Sequence, residues 1–231
     1  MWNIITTSLP PMILAMMKFT IPLALISFVL GMILAIITAL INFLKPEGNR
    51  ISRIIFGILR FISKFYIWLF RSTPLLVQLF IIFFGLPSVG IQLDPFIAAV
   101  IGFSLNTGAY ASEIVRSALM SVPQDQWDAA YTLGFSTKKT LHKIVLPQAL
   151  RIALPPLSNS FIGLVKDTSL ASSITILEMF QVSQQITAKN FEPLLMYSLA
   201  AALYAIICTL LTLLQRHLEK RSSRYLKGGA Q

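Results

Sequence analysis

Runs of about twenty consecutive apolar residues, repeated along the chain, constrain this sequence more than any other feature. A helix rising ~1.5 Å per residue needs about 20 apolar residues to cross the ~30 Å hydrocarbon core, whereas a tilted barrel strand needs only about 10. The runs here have the helical length. In lipid a helix also closes its backbone hydrogen bonds within itself. Of the 231 residues, 55% are hydrophobic and only 12% charged, against roughly 25% charged in soluble domains, so a soluble fold is excluded. The sequence predicts an all-α integral membrane protein with one transmembrane domain over residues 1–231.

Five spans are expected, at about 20–43, 65–86, 96–115, 153–173 and 194–215. Lys18 and Pro22 interrupt the first apolar stretch, and Lys18 is near enough to its end to snorkel to the interface. The N-terminus lacks the charged region and cleavage site of a secretory signal, so the first span is expected to remain in place. Between spans 1 and 2, Arg53, Arg60 and Lys64 share one helical face while Ile54, Ile55, Ile58 and Ile62 fall elsewhere. That suits a helix on an anionic leaflet, with membrane lipid as its partner. Residues 174–192 read as an amphipathic outer segment. Cys208 is the single cysteine, so an intrachain disulfide is excluded.

Charge sets the orientation. Of 19 Lys and Arg residues, five lie in 45–64, five in 116–151 and five from Arg216 onward, all on one side if five spans alternate. The positive-inside rule then puts the N-terminus outside and the C-terminus in the cytoplasm. The net charge of +10 is thereby a topology signal, and no nucleic-acid partner is needed to explain it.

Four charged residues fall within or beside the spans: Arg71, Glu113, Lys166 and Asp167. A charge at mid-bilayer costs about 2.5–3.5 kcal/mol on insertion scales, so each should face protein or water. Asn106 and Thr107 lie roughly 15 Å from the outer end of span 3, and Lys166 and Asp167 roughly 18 Å from the cytoplasmic end of span 4, which puts them at similar depth. Asn106, Thr107, Lys166, Asp167, Thr168 and Ser169 are therefore candidates to line a path for a polar or zwitterionic solute. The competing reading is an internal ion pair between helices, with Arg71 bonded to Asp167 or Glu113. Neither His142 nor His217 has a carboxylate arrangement suited to hydrolysis, and no metal-ligating cluster is evident.

The long polar interruption is residues 121–151, SVPQDQWDAAYTLGFSTKKTLHKIVLPQALR. It reads as two short helices. Pro123 suits a first turn and Asp125 and Asp128 the positive helix end; Gly134 suits a left-handed exit; Ser136 or Thr137 can cap a second helix that Pro147 interrupts. A cytosolic helix–Gly–helix between spans points to a docking surface for a partner. No G-x-x-x-x-G-K-[ST] phosphate loop occurs, so a nucleotide is not bound in that manner and no catalytic residue is expected.

The spacing Asp128-Ala129-Ala130, then Gly134, then Ile144-x-Leu146-Pro147 resembles the cytoplasmic EAA loop of bacterial ABC importer permeases, with Asp128 for the usual Glu. FRSTPLLVQLFIIFFGLP at 70–87 resembles an element of the polar amino-acid permeases, with Ser72 for Gly. GFSLNTGAYASEIVRSAL at 102–119 and LPPLSNSFIGLVKDTSLAS at 154–172 resemble the same family, so the likeness covers nearly the whole chain. LDP at 93–95, SLNTGAYASE at 104–113 and RIALPPLSNSF at 151–161 most resemble cystine-importer permeases.

That resemblance implies the ABC type I importer permease fold in a multi-pass protein of the bacterial cytoplasmic membrane. It implies two cytosolic ATPase subunits carrying ATP and magnesium, no cofactor in this chain, a second permease chain (identical or sister), and an extracytoplasmic solute-binding protein. It also implies that Trp127, Asp128, Ala129, Ala130 and Gly134 form a coupling helix seated on the ATPase. The rival classes are an ion-coupled carrier or channel using Asp167 and Glu113, and a non-transporting membrane scaffold. Internal inverted repeats, frequent in secondary transporters, are not evident here.

Overall fold

A computed structural model describes residues 2–44 and 49–223. Lys45, counted above to orient the chain, and Arg224 and Lys227 of the tail lie outside these residues. Among the described residues the regular structure is entirely helical: α1 (Trp2–Ala15), α2 (Ile21–Phe43), α3 (Arg50–Ser72), α4 (Leu75–Phe80), α5 (Pro95–Met120), α6 (Gln124–Thr132), α7 (Thr137–Thr140), α8 (Leu146–Asp167), α9 (Met179–Asn190) and α10 (Pro193–Ser223).

Proline shapes these helices in two ways. Three π-helical turns occur, at Met16–Thr20, Ile81–Gly85 and Leu141–Val145, and each ends two residues before a proline: Pro22, Pro87 or Pro147. A proline supplies no N–H and crowds the carbonyl four residues back, and a widened turn ahead of it relieves that conflict. Pro22 and Pro147 therefore do not end their helices. The segment from Trp2 to Phe43 runs as 42 helical residues, and α7 continues through its π turn into α8. The expectation that Pro147 separates a short polar helix from span 4 is thus corrected: the two form one helical run.

Pro74 acts the other way. Thr73 before it is extended (φ −121°, ψ 145°), as steric conflict with a following proline requires, and the chain bends by 108° between Arg50–Ser72 and Leu75–Val89. The expected span 2 at 65–86 is corrected accordingly. Its first part belongs to α3, which begins at Arg50 with Asn49 accepting a 2.9 Å bond from the Ser52 N–H. By length and composition, Trp2–Phe43 and Pro193–Lys220 each suffice to cross a membrane, and the bent pair makes a third if it forms one broken span. Helices α5 and α8, with 26 and 22 residues, are long enough but carry polar residues toward an open cavity.

Small residues bring α2 against α5. Ser27, Ala35, Ser104 and Ala111 are buried there, and a Cβ on Gly108 would lie 2.7 Å from the Tyr66 hydroxyl and 3.0 Å from Leu34 Cβ. Close backbone approach of this kind is how helices associate where lipid offers no hydrophobic drive. Tyr66 then donates a 2.6 Å bond to the Leu105 carbonyl and fixes α3 across α5. The segment between α8 and α10 is held by Glu178, fully buried, which accepts from the N–H groups of Phe180 (2.8 Å) and Gln181 (2.6 Å) and from the Tyr204 hydroxyl (3.0 Å). It caps α9 and ties it to α10 at once.

Candidate functional site: a charged cavity and a two-faced loop

A cavity of about 1080 Å³ lies between the bend at Thr73–Pro74, the middle of α5 and the middle of α8. The bend is fastened by Gln78, only 6% exposed. Its side-chain nitrogen donates to the Phe70 carbonyl (2.9 Å), the Thr73 carbonyl (3.0 Å) and Thr73 Oγ1 (2.8 Å). Asn106 Nδ2 donates in turn to Gln78 Oε1 at 3.0 Å. The carbonyls freed by Pro74 are thereby satisfied beside the cavity, where irregular backbone at membrane depth is tolerated. Gln78 was not singled out from sequence. A polar amide five residues after Thr73, inside an apolar run, is the signal that could have found it.

Of the residues proposed as a solute path, Asn106, Thr107 and Asp167 line this cavity. Lys166, Thr168 and Ser169, proposed with them, are not among its lining residues. Thr168 is fully buried and its hydroxyl bonds the Val165 carbonyl at 2.7 Å, while Ser169 bonds the Lys166 carbonyl at 2.8 Å. Both hydroxyls satisfy the tight 3-10 turn Thr168–Ile174. Arg71 and Glu113, considered from sequence as an ion pair, also line the cavity.

Their pairing is unequal. Arg116 donates to both Glu113 oxygens, Nε at 3.2 Å and Nη2 at 3.0 Å. Arg71 Nη1 stays 4.0 Å from Glu113, beyond hydrogen-bonding distance, and its guanidinium lies over the Tyr110 ring at 5.5 Å. The Arg116 fork is the strong bidentate arrangement. No ion pair links Arg71 to Asp167 among the described residues.

Between α5 and α8 lies the loop. Helix α6 ends with Gly134 at φ +77°, whose N–H bonds the Tyr131 carbonyl (2.9 Å), and the Phe135 N–H bonds the Ala130 carbonyl (3.0 Å). This is the two-bond glycine exit of a Schellman motif. Ser136 caps α7 through a 3.5 Å contact with the Lys139 N–H. The resulting elbow has two faces. Trp127 is only 9% exposed and Ala130 1%; both face inward, Trp127 against Phe43 at 6.1 Å and within a cluster that includes Leu119, Val145 and Ala149. Asp128, Ala129 and Gly134 are exposed, and so is Leu133 at 74%. Trp127, expected with the contact residues, therefore anchors the loop to its own protein. Leu133 was missed, although a large apolar side chain beside a helix-ending glycine is the available signal.

A bent-helix membrane protein with a charged central cavity and an exposed elbow on the same two helices has the anatomy of a transport subunit that works with partners. The chain belongs to the family described as binding-protein-dependent transport system inner membrane component, whose model matches residues 48–224. It is 48% identical over 226 residues to the L-cystine transport system permease protein TcyB of Bacillus subtilis, covering 97% of this chain and 92% of that one. It is also 39% identical to a probable amino-acid ABC transporter permease protein of the same organism, YckA, over 94% and 91%. Among solved structures, an amino acid ABC transporter crystallised with histidines superimposes with a TM-score of 0.85 at 26% identity, covering 94% of this chain and 96% of the other. The MetNI methionine transporter, in an inward-facing form, shares the fold at a TM-score of 0.71, with 88% and 92% covered.

Proposed function

We propose that this chain is the membrane permease subunit of an ATP-driven amino-acid importer whose solute is L-cystine. The observation that carries the solute is the 48% identity to the Bacillus subtilis L-cystine permease along nearly the full length of both chains. The cavity supports it, since Asn106, Thr107 and Asp167 gather on one wall system at a position an amino acid would cross. ATP and magnesium bind two separate cytosolic ATPase subunits in this reading, and a binding protein delivers the solute from outside. A second permease chain completes the pathway. The five spans run with the N-terminus outside and the C-terminus in the cytoplasm of a bacterial cell, which puts the α6–α7 elbow beside the ATPases.

The elbow does mechanical work in this scheme. Asp128, Ala129, Leu133 and Gly134 meet the ATPase, while Trp127 and Ala130 bind the elbow to α2, α5 and α8. ATP-driven closure of the ATPases then moves the inner ends of α5 and α8 as a rigid body and changes which side the cavity faces. Reconstituted uptake of labelled L-cystine, challenged with excess unlabelled cystine, arginine, glutamine or histidine, tests the solute. Cystine is expected to compete at least tenfold better than the others; stronger competition by arginine or glutamine overturns cystine in favour of that amino acid.

A further inference from the structure

Arg71 is the single cation among the described residues that line the 1080 Å³ cavity, whose acids are Glu113 and Asp167. Glu113 already receives two hydrogen bonds from Arg116. Arg71 stands off at 4.0 Å, and its contact with the Tyr110 ring holds the guanidinium without using its N–H donors. The cavity is therefore left with one guanidinium and one carboxylate, Asp167, that are not bonded to each other. Opposite charges presented separately across a cavity match a zwitterion, and a guanidinium fork is the side chain best shaped for a carboxylate. Arg71 also lines a second cavity of about 730 Å³ with Lys64, Arg116 and Glu113, so it stands at the partition between the two.

We infer that Arg71 is the residue that recognises the α-carboxylate of the transported amino acid, opposite Asp167, which takes the ammonium group. This deepens the proposed function and rests on its assignment of the cavity to an amino acid. Its role as a helix-holding ion pair is the secondary one, because the short bonds to Glu113 come from Arg116. The Asn106 amide nitrogen is directed to Gln78 and leaves carboxylate binding to the guanidinium.

The test is direct ligand binding to the purified permease–ATPase complex without binding protein. Each amino acid is compared with its decarboxylated amine: cystine with cystamine, arginine with agmatine, histidine with histamine. Wild type is expected to prefer the amino acid over its amine by about 10- to 100-fold, the range for a charge-assisted hydrogen bond. Arg71→Gln should bind the amino acid no better than the amine, with the ATPase still copurifying, and Arg71→Lys should retain part of the preference. The inference is overturned if Arg71→Gln keeps the wild-type preference. It is overturned equally if both ligands weaken together, if Arg71→Lys is no better than Arg71→Gln, or if wild type shows no preference in any pair. A preference seen with arginine or histidine and not with cystine sinks the cystine assignment while leaving Arg71 in place.

Discussion

The cavity along α5 and α8 and the elbow that joins these helices are built on opposite plans. At the elbow, the hydrogen bonds that make the turn join residues a few positions apart, Gly134 with Tyr131, Phe135 with Ala130 and Ser136 with Lys139, and Trp127 alone reaches to distant Phe43. At the cavity, partners come from distant parts of the chain, as Asn106 with Gln78 and Arg71 with Glu113 do. The elbow is a locally closed unit that can be handled by a partner without unravelling. The cavity exists only while three separate helices hold their register, so movement of those helices is felt there. In the proposed scheme, force passed from the elbow to the cavity uses that difference.

Breaking the elbow should have the largest effect. Gly134→Val puts a β-branched residue at φ +77°, a genuine outlier for that side chain. Uptake should fall to background while the chain stays in the membrane, and copurification of the ATPase should be lost. Truncating the anchor, Trp127→Ala, should destabilise the protein by about 3–5 kcal/mol, as burial of a large aromatic leads one to expect, read as a lower thermal midpoint of the complex. Asp167→Asn tests the cavity: uptake should drop about 10-fold or more with ATPase copurification unchanged. Loss of copurification in that variant would mean that the elbow and the cavity are not separable.

A smaller effect sharpens the contrast at the segment between α8 and α10. Burial lifts the Glu178 carboxyl from 4.5 to about 7 against the opposing pull of its three hydrogen bonds. A raised folded-state value favours the neutral acid, so its contribution to stability is full below about pH 4.5 and is lost as pH rises toward 7. The thermal midpoint of wild type should decline over that window, and Glu178→Gln should show less of the decline. An identical pH profile in the two proteins would remove Glu178 from this role.

Sequence reading reached the elbow well because its signals are local: a helix-ending glycine, a capping serine, paired alanines. It misjudged Pro147 because a π turn at Leu141–Val145 lets the helix pass a proline, and nothing in the residue types announces such a turn. Thr73–Pro74 went the other way, where the steric rule on the residue before proline holds and divides span 2. Depth arithmetic put Asn106, Thr107 and Asp167 on one level, and they do share a cavity. It also grouped Lys166 with Asp167, and Lys166 does not line that cavity. Trp127 looked like part of a contact surface because one helix turn carries both faces, and only the position of Phe43, far away in sequence, decides which face is inward.

The central claim is that this permease is driven by ATP on partner chains, and energised uptake tests it most directly. Proteoliposomes holding the permease, its ATPase and the binding protein would be loaded with ATP and magnesium, and entry of labelled L-cystine followed with and without an ion gradient. The account predicts accumulation that requires internal ATP, ignores the gradient and disappears in Gly134→Val. Accumulation that follows the ion gradient without ATP would contradict it.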